Sequence, residues 1–284
     1  MPLSTPARTL LLTWIAMLAF AGNSLLCRLA LATTRIDAVS FTLLRLASGA
    51  LVLALLVRGR DGAWSRAGSW AGAGALFGYA AAFSFAYRQL PTATGALCLF
   101  GAVQASMIGY GLWRGERLAA RQWLGFACAL GGLLLLLLPG VSAPPLQGML
   151  LMLLAGVAWG VYSLLGRGGG DPTQLTAGNF LRAVPLALLP LLLWPPAQLP
   201  AADGVAYAVA SGALASGIGY AIWYTALRGL GAATAATVQL SVPLLAAVAG
   251  WLLLGEALGW RTALAAVAIL GGIALVIAGR QRAG

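Results

Sequence analysis

Runs of apolar residues, each cut short by glycine, proline or arginine, dominate this chain and leave it few ways to fold. Ten such runs can be laid out, near residues 10–30, 39–57, 69–87, 94–113, 122–138, 147–165, 175–193, 205–224, 234–253 and 261–279. Each is about 17 to 21 residues long, which as a helix matches a hydrocarbon core of about 30 Å. In lipid, backbone polar groups must be satisfied within the segment, which favours helices. The expected fold class is an all-α integral membrane protein with ten transmembrane helices. Composition agrees: 61% of the 284 residues are hydrophobic and 8% charged, against roughly 25% charged in a soluble domain.

The first run, Thr9 to Ala32, follows Arg8 and contains Ala19-Phe20-Ala21, which imitates a signal-peptide cleavage site. Its counterpart in the second half, Gln147 to Leu165, is internal, so the first run is expected to stay as a helix.

Two halves are visible without any alignment to other proteins. A shift of 140 residues lays Phe85–Leu138 over Thr225–Ala278 with no gap. Arg88 then meets Arg228, Thr94 meets Thr234, Gly115-Glu116 meets Gly255-Glu256, Arg121 meets Arg261, and Gly131-Gly132 meets Gly271-Gly272. Self-similarity of this length points to a duplicated unit. The expected division is residues 1–140 and 141–284, two five-helix repeats forming one transport domain, joined by the uncharged, Pro-rich linker Pro139 to Gln147.

Five spans per repeat is an odd number, so the second repeat enters the membrane inverted. With the N-terminus inside, cytoplasmic segments hold eleven arginines: Arg8, Arg58, Arg60, Arg66, Arg114, Arg117, Arg121, Arg167, Arg228, Arg280 and Arg282. The outer loops hold Arg35, Arg88 and Arg261, with Arg28 near a helix end. This asymmetry places both termini in the cytoplasm. Spans five and ten are the least polar within the membrane and share the Gly-Gly pair, as expected of peripheral packing helices.

Several functions are disfavoured by what the chain lacks. A net charge of +11 invites a nucleic-acid partner, but the arginines are scattered over short loops and form no single patch. Histidine is absent, which removes the commonest general base and transition-metal ligand. The carboxylates stand at loops or helix ends, so Ser24, Ser84, Ser106 and Ser216 have no base of the usual kind. Cys27, Cys98 and Cys128 lie in apolar runs and read as small buried thiols. No enzyme activity, disulfide, metal or cofactor is expected, and the chain is compatible with a monomer whose partners are the bilayer and a small-molecule substrate.

Polar and aromatic residues near mid-membrane mark a candidate substrate site. They are Asn23, Tyr79, Phe83, Phe100, Gln104, Trp159, Tyr162, Tyr220 and Gln239. Spacings of three or four put Tyr79 with Phe83, Phe100 with Gln104, and Trp159 with Tyr162 on shared helix faces. Aromatic walls with a few amides suit a small, partly apolar ligand.

Leu230 to Glu256 is the most informative single stretch. It crosses the membrane uncharged until Glu256, and Pro243 inside it denies the Gln239 carbonyl its usual partner. A kinked, cavity-lining helix is expected. Two charges also fall within spans, Arg45 and Arg182, at equivalent places in the two halves. A charge in the bilayer must snorkel or meet carbonyls or an anion. Gate or helix-end clamps are the favoured role for Arg45 and Arg182, ahead of direct substrate binding.

This pattern resembles the drug/metabolite transporter superfamily in its ten-helix EamA-type branch. The resemblance is carried by the two halves, by the arginines of FTLLRLASGA and GNFLRAVPLA, by the span ends LWRGERL and LLLGEAL, and by the spacing from Pro243 to Glu256. Val103 stands where a matching first-half proline would be. The resemblance implies alternating access around a central cavity lined by spans one, three, four, six, eight and nine. It also implies a bacterial inner-membrane exporter of amino acids and related metabolites, and the aromatic interior looks like the aromatic amino-acid exporter type. The competing expectation is a multidrug or general metabolite carrier of the same fold.

Overall fold

A computed structural model gives the structure over residues 5–58, 67–115, 117–138, 143–166, 170–196, 198–230, 235 and 238–281. Asp61, Glu116, Arg60, Arg66, Arg167, Arg282, Thr234 and linker residues 139–142 lie outside the described residues. No strand occurs among the described residues. The helices are α1 (Thr5–Thr33), α2 (Ala38–Val57), α3 (Trp70–Tyr87), α4 (Thr92–Trp113), α5 (Ala120–Leu137), α6 (Leu146–Leu165), α7 (Pro172–Leu193), α8 (Ala202–Leu227), α9 (Ser241–Leu254) and α10 (Trp260–Gln281). Eight of them, all but α3 and α9, are long and apolar enough to cross a membrane.

The two exceptions have local causes. Helix α3 carries glycine, serine and tyrosine in place of longer aliphatics, and it packs against α2, α6 and α7. A helix walled in by protein does not need the hydropathy of one facing lipid. Helix α9 is 14 residues long and starts at Ser241, after a turn at Leu240. Val238 and Gln239 before that turn are helical too, so the helical winding is interrupted at Leu240, close to where the kink was expected. Pro243 stands four residues after Gln239 and has no N–H to give its carbonyl, beside the point where the winding is interrupted.

Local chemistry fixes the helix starts and stops. The Asp37 carboxylate accepts from the amides of Val39 and Ser40, both at 2.9 Å, and opens α2. The Ser69 hydroxyl accepts from Gly72 N–H at 2.9 Å to open α3, while the Ser69 amide donates to Asn179 Oδ1 on α7 at 2.8 Å. Asp171 caps α7 through the Thr173 amide at 2.8 Å, with Pro172 in the first helical position. Gly255, at φ 64°, ends α9 in the left-handed conformation that glycine adopts most readily.

Successive helices run in alternating directions, and cross-chain contacts identify the two ends. At one end Arg261 donates to the carbonyls of Leu135 and Leu138, Gln89 donates to Gln147 at 3.1 Å, and Gly204 lies against Thr34 and Ile36. At the other, Gly229 lies against Thr9 and Arg182 donates to the Ala67 carbonyl at 2.6 Å. Trp194, Trp251 and Trp260 stand exposed around the first end, and Trp70 and Trp113 around the second. Between these rims the surface carries exposed leucines such as Leu18, Leu51, Leu154 and Leu252. That combination of an apolar band and two tryptophan rims fits a bilayer.

Helices α5 and α10 pack chiefly on each other, with lesser contact to α4. A methyl group on Gly125 would lie 2.5 Å from the Gly272 carbonyl oxygen, and one on Gly132 would lie 2.8 Å from the Ile269 side chain. Gly131 and Gly271 face open space. Only the second glycine of each pair therefore serves the close approach.

Candidate functional site

Helices α1, α3, α4, α6 and α8 converge, together with Gln239, on a narrow cavity with about 30 Å³ of open interior. Helix α1 contributes Phe20, Asn23 and Ser24; α3 contributes Tyr79 and Phe83. Leu99, Phe100 and Val103 come from α4, Trp159 from α6 and Tyr220 from α8. Seven residues singled out in the sequence thus meet in one place: Asn23, Tyr79, Phe83, Phe100, Trp159, Tyr220 and Gln239.

Gln104 and Tyr162 are not part of this lining. Val103 takes the position on α4 that the sequence had suggested for Gln104. Tyr162 sits behind Trp159, with ring centroids 5.4 Å apart, and its hydroxyl donates to Thr176 Oγ1 at 3.5 Å. Phe20, Ser24, Leu99 and Val103 were not proposed as lining from the sequence: aliphatic and small residues carry no distinguishing signal there, whereas Phe20 was an aromatic within span one that the same criterion could have found.

The rings form a connected wall. Tyr79 contacts Trp159 at 4.8 Å and Phe83 at 5.3 Å between centroids, and Tyr220 contacts Trp159 at 5.2 Å and Phe20 at 5.8 Å. The tilted and edge-to-face geometries are those that aromatic quadrupoles favour. Such a wall presents ring faces to a flat, apolar ligand group while excluding water.

Polar groups enter from one side of this wall. Arg45, on α2, is 1% exposed. Its Nη2 donates to the Tyr79 hydroxyl at 3.1 Å and its Nε to Ser216 Oγ at 3.3 Å. The guanidinium lies 5.1 Å from the Tyr79 ring centroid and 5.0 Å from that of Phe83, a cation–π arrangement. Asn23 Nδ2 donates to the same Tyr79 hydroxyl at 3.4 Å, and Ser211 Oγ donates to Asn23 Oδ1 at 2.7 Å. Arg45 therefore neither snorkels to the membrane surface nor clamps a helix end, the latter being one of the two roles, with a gate, that the sequence had favoured. It is the buried centre of a network joining α1, α2, α3 and α8.

A departure from α geometry supplies the two serines. Within α8, Ser211–Ile218 is wound as a π-helix, a geometry often found at functional sites. Gly212 lies so close to the Arg45 carbonyl that a side chain would collide with it, which lets α8 sit directly on α2. The sequence expectation of an ordinary helix for this span is corrected accordingly.

Arg182 behaves as the clamp that its twin does not. Its Nη1 donates to the carbonyls of Ala67 at 2.6 Å and Gly178 at 3.0 Å, holding the segment before α3 onto α7. At the far end of the bundle, Arg28 Nε donates to Glu256 Oε1 at 2.9 Å. Arg28 Nη1 also reaches the carbonyls of Tyr87 at 3.0 Å and Arg88 at 3.3 Å, and Glu256 Oε2 accepts from the Thr92 amide at 2.7 Å. Glu256, expected to stand at a helix end, there meets both an arginine and a helix N-terminus. Cys27 and Cys98 are buried as expected, whereas Cys128 lies exposed on α5.

No cluster of metal-ligating side chains occurs among the described residues. What the cavity offers is selective, reversible contact with a small molecule: aromatic faces, a few hydrogen-bonding groups and one buried cation beside them.

The family model of the EamA-like transporter family matches residues 146–278. An uncharacterised protein of Pseudomonas aeruginosa is 64% identical over 280 residues, covering 96% of each chain. A crystal structure superposes with a TM-score of 0.68 at 22% identity, covering 99% of this chain and 100% of that one, a likeness of fold alone. The aromatic cavity at the meeting of the helices, the apolar outer band and the family match agree: the chain belongs to the EamA-like transporter family of the drug/metabolite transporter superfamily.

Proposed function

We propose that the protein exports small neutral amino acids with aromatic or large apolar side chains, and related metabolites, across a bacterial inner membrane by alternating access. The observation that carries this reading is the meeting of Phe20, Tyr79, Trp159 and Tyr220 rings with the Asn23 and Gln239 amides in one cavity. Rings suit the side chain, and amides with the Tyr79 hydroxyl suit the polar end of a zwitterion. A carrier of apolar cations would be expected to hold a buried acid, and no acidic residue lines this cavity among those described.

Two inverted five-helix halves fit the packing. Helices five places apart run in opposite directions, α2 packs on α7 and α5 on α10, and the contact of α3 with α6 has its counterpart in that of α8 with α1. The Arg28–Glu256 pair fastens one end of the molecule, which the arginine asymmetry assigns to the outside. The cavity then faces the cytoplasm when this pair is formed, and both termini are cytoplasmic. Tyr162 enters the reading as the ring behind Trp159, and Gln104 as a neighbour of the path that this state leaves outside the lining.

The test is reconstitution into liposomes loaded with labelled amino acids, nucleosides and cationic dyes, followed by efflux. Faster release of phenylalanine, tryptophan or leucine than from empty vesicles is expected. Release of the dyes alone would transfer the protein to the multidrug class.

A further inference from the structure

The hydrogen-bonding groups around Arg45 are unbalanced. Arg45 Nη1 has no partner and is buried. The Tyr79 hydroxyl oxygen already receives two hydrogen bonds, from Arg45 and Asn23. Its lone pairs are thereby used, and its own proton has no acceptor among the described hydrogen bonds. Asn23 Oδ1 is occupied by Ser211, which leaves Asn23 with its second N–H to give. The groups left without a partner, Arg45 Nη1, the Tyr79 proton and one Asn23 N–H, are all donors, and they surround a positive charge.

The charge has no opposite number. Among the described residues the ion pair is Arg28–Glu256, and Arg45 meets only neutral oxygens and ring faces. Cation–π contact mitigates the burial of a guanidinium but does not neutralise it, and an unpaired buried charge is strongly disfavoured. Asn23, Tyr79 and Phe83 belong at once to this cluster and to the cavity wall. An anion entering the cavity would meet this charge through the residues that the two share.

We propose that Arg45, Tyr79 and Asn23 form a carboxylate subsite, so that the transported molecule must bring an ionised carboxylate to this cluster while its apolar part lies against Trp159 and Tyr220. This deepens the reading of an amino-acid carrier, on which it rests, and reorders its requirements. The carboxylate becomes the obligatory group and the ammonium a secondary one. An aryl-substituted carboxylic acid without an amine is then a ligand, and an amino-acid amide is not.

The test uses the purified full-length chain in detergent and in liposomes, with phenylalanine, phenylalaninamide, phenethylamine and 3-phenylpropionate as probes. Thermal stabilisation in detergent reads binding whether or not transport occurs. Phenylalanine and 3-phenylpropionate are expected to stabilise the protein at concentrations about tenfold lower than the amide or the amine. Arg45→Gln is expected to abolish that preference, and Arg45→Lys to retain part of it. Tyr79→Phe keeps the ring and loses the donor, so it narrows the preference as well and carries the test if Arg45→Gln does not fold. Equal stabilisation by acid and amide in the unaltered protein, or an acid preference surviving in both Arg45→Gln and Tyr79→Phe, overturns the proposal. If the acids bind through Arg45 but no labelled amino acid leaves liposomes, the subsite stands and the amino-acid export reading fails.

Discussion

The Arg28 side chain meets Glu256 at 2.9 Å across a separation of 228 residues, and each partner also holds the backbone of a third element. Arg28 covers the last carbonyls of α3, and Glu256 covers the first amide of α4. Four chain segments are thus fastened at one end of the bundle by two side chains.

Loosening this closure should expose the cavity to that side. Glu256→Gln keeps an acceptor for Thr92 but removes the ion pair, which at its partial exposure is worth about 1–2 kcal/mol. With the three native cysteines replaced, Ser24→Cys should be labelled several-fold faster by an impermeant thiol reagent from that side when Glu256→Gln is added. Exchanging the two residues, Arg28→Glu with Glu256→Arg, should not restore slow labelling, because the contacts to Tyr87 and Thr92 depend on which residue stands where. Unchanged labelling in Glu256→Gln would show that the closure lies elsewhere.

The glycine pairs of α5 and α10 separate close packing from mere helix propensity. Gly131→Ala and Gly271→Ala enter open space and should be neutral or stabilising by up to about 1 kcal/mol, the ordinary gain of alanine over glycine in a helix. Gly132→Ala and Gly272→Ala meet the opposite helix and should destabilise by about 1–3 kcal/mol. Unfolding titrations in mixed micelles read the difference, and equal behaviour of the four variants would contradict the packing.

Within the cavity, Trp159→Ala removes the ring that touches both Tyr79 and Tyr220 and should lower the apparent affinity for an aromatic substrate by about tenfold or more. Gln104→Leu, outside the lining, should change it by less than about threefold. Efflux kinetics on variants of equal abundance in the membrane give both values. A larger effect at Gln104 than at Trp159 would place the substrate further along α4.

The described carboxylates stand at helix ends: Asp37 and Asp171 cap α2 and α7, Asp203 lies in the first turn of α8, and Glu256 follows α9. Arginine stays protonated at any biological pH, so Arg45 offers no proton relay. A pH gradient across liposomes, with the membrane potential clamped, should therefore drive no uphill accumulation of substrate. Accumulation driven by that gradient would reveal a titrating group inside the membrane.

Much of this fold was legible because lipid makes hydropathy a strict ruler. The edges of α2, α3, α4 and α6 fall within a few residues of the apolar runs, and of the three pairs read from helical spacing, Tyr79 and Phe83 reach the cavity together while Phe100 and Trp159 reach it without Gln104 and Tyr162. The rest depends on geometry that periodicity does not encode. A mid-span arginine reads as a charge seeking the membrane surface, and only the nearness of Tyr79, Phe83 and Ser216 shows why Arg45 stays inside. Arg28 and Glu256 looked like unrelated helix-end charges because nothing local joins residues so far apart. Gln104 was favoured for its polarity, but the face of α4 that meets the cavity belongs to Leu99, Phe100 and Val103.

The widened winding of α8 makes that helix sensitive to length in a way that few segments are. One residue more or fewer in an α-helix turns everything beyond it by ~100°, and the Ser211–Ile218 stretch takes up such an offset between the half that carries Tyr207 and the half that carries Tyr220. Ser211 reaches Asn23 and Ser216 reaches Arg45 only while that offset is kept. A single-residue deletion there would let the stretch relax to α winding with Tyr207 and Tyr220 kept on their faces, and what it would lose is the placing of Ser211 and Ser216, so the site is written in spacing as much as in chemistry.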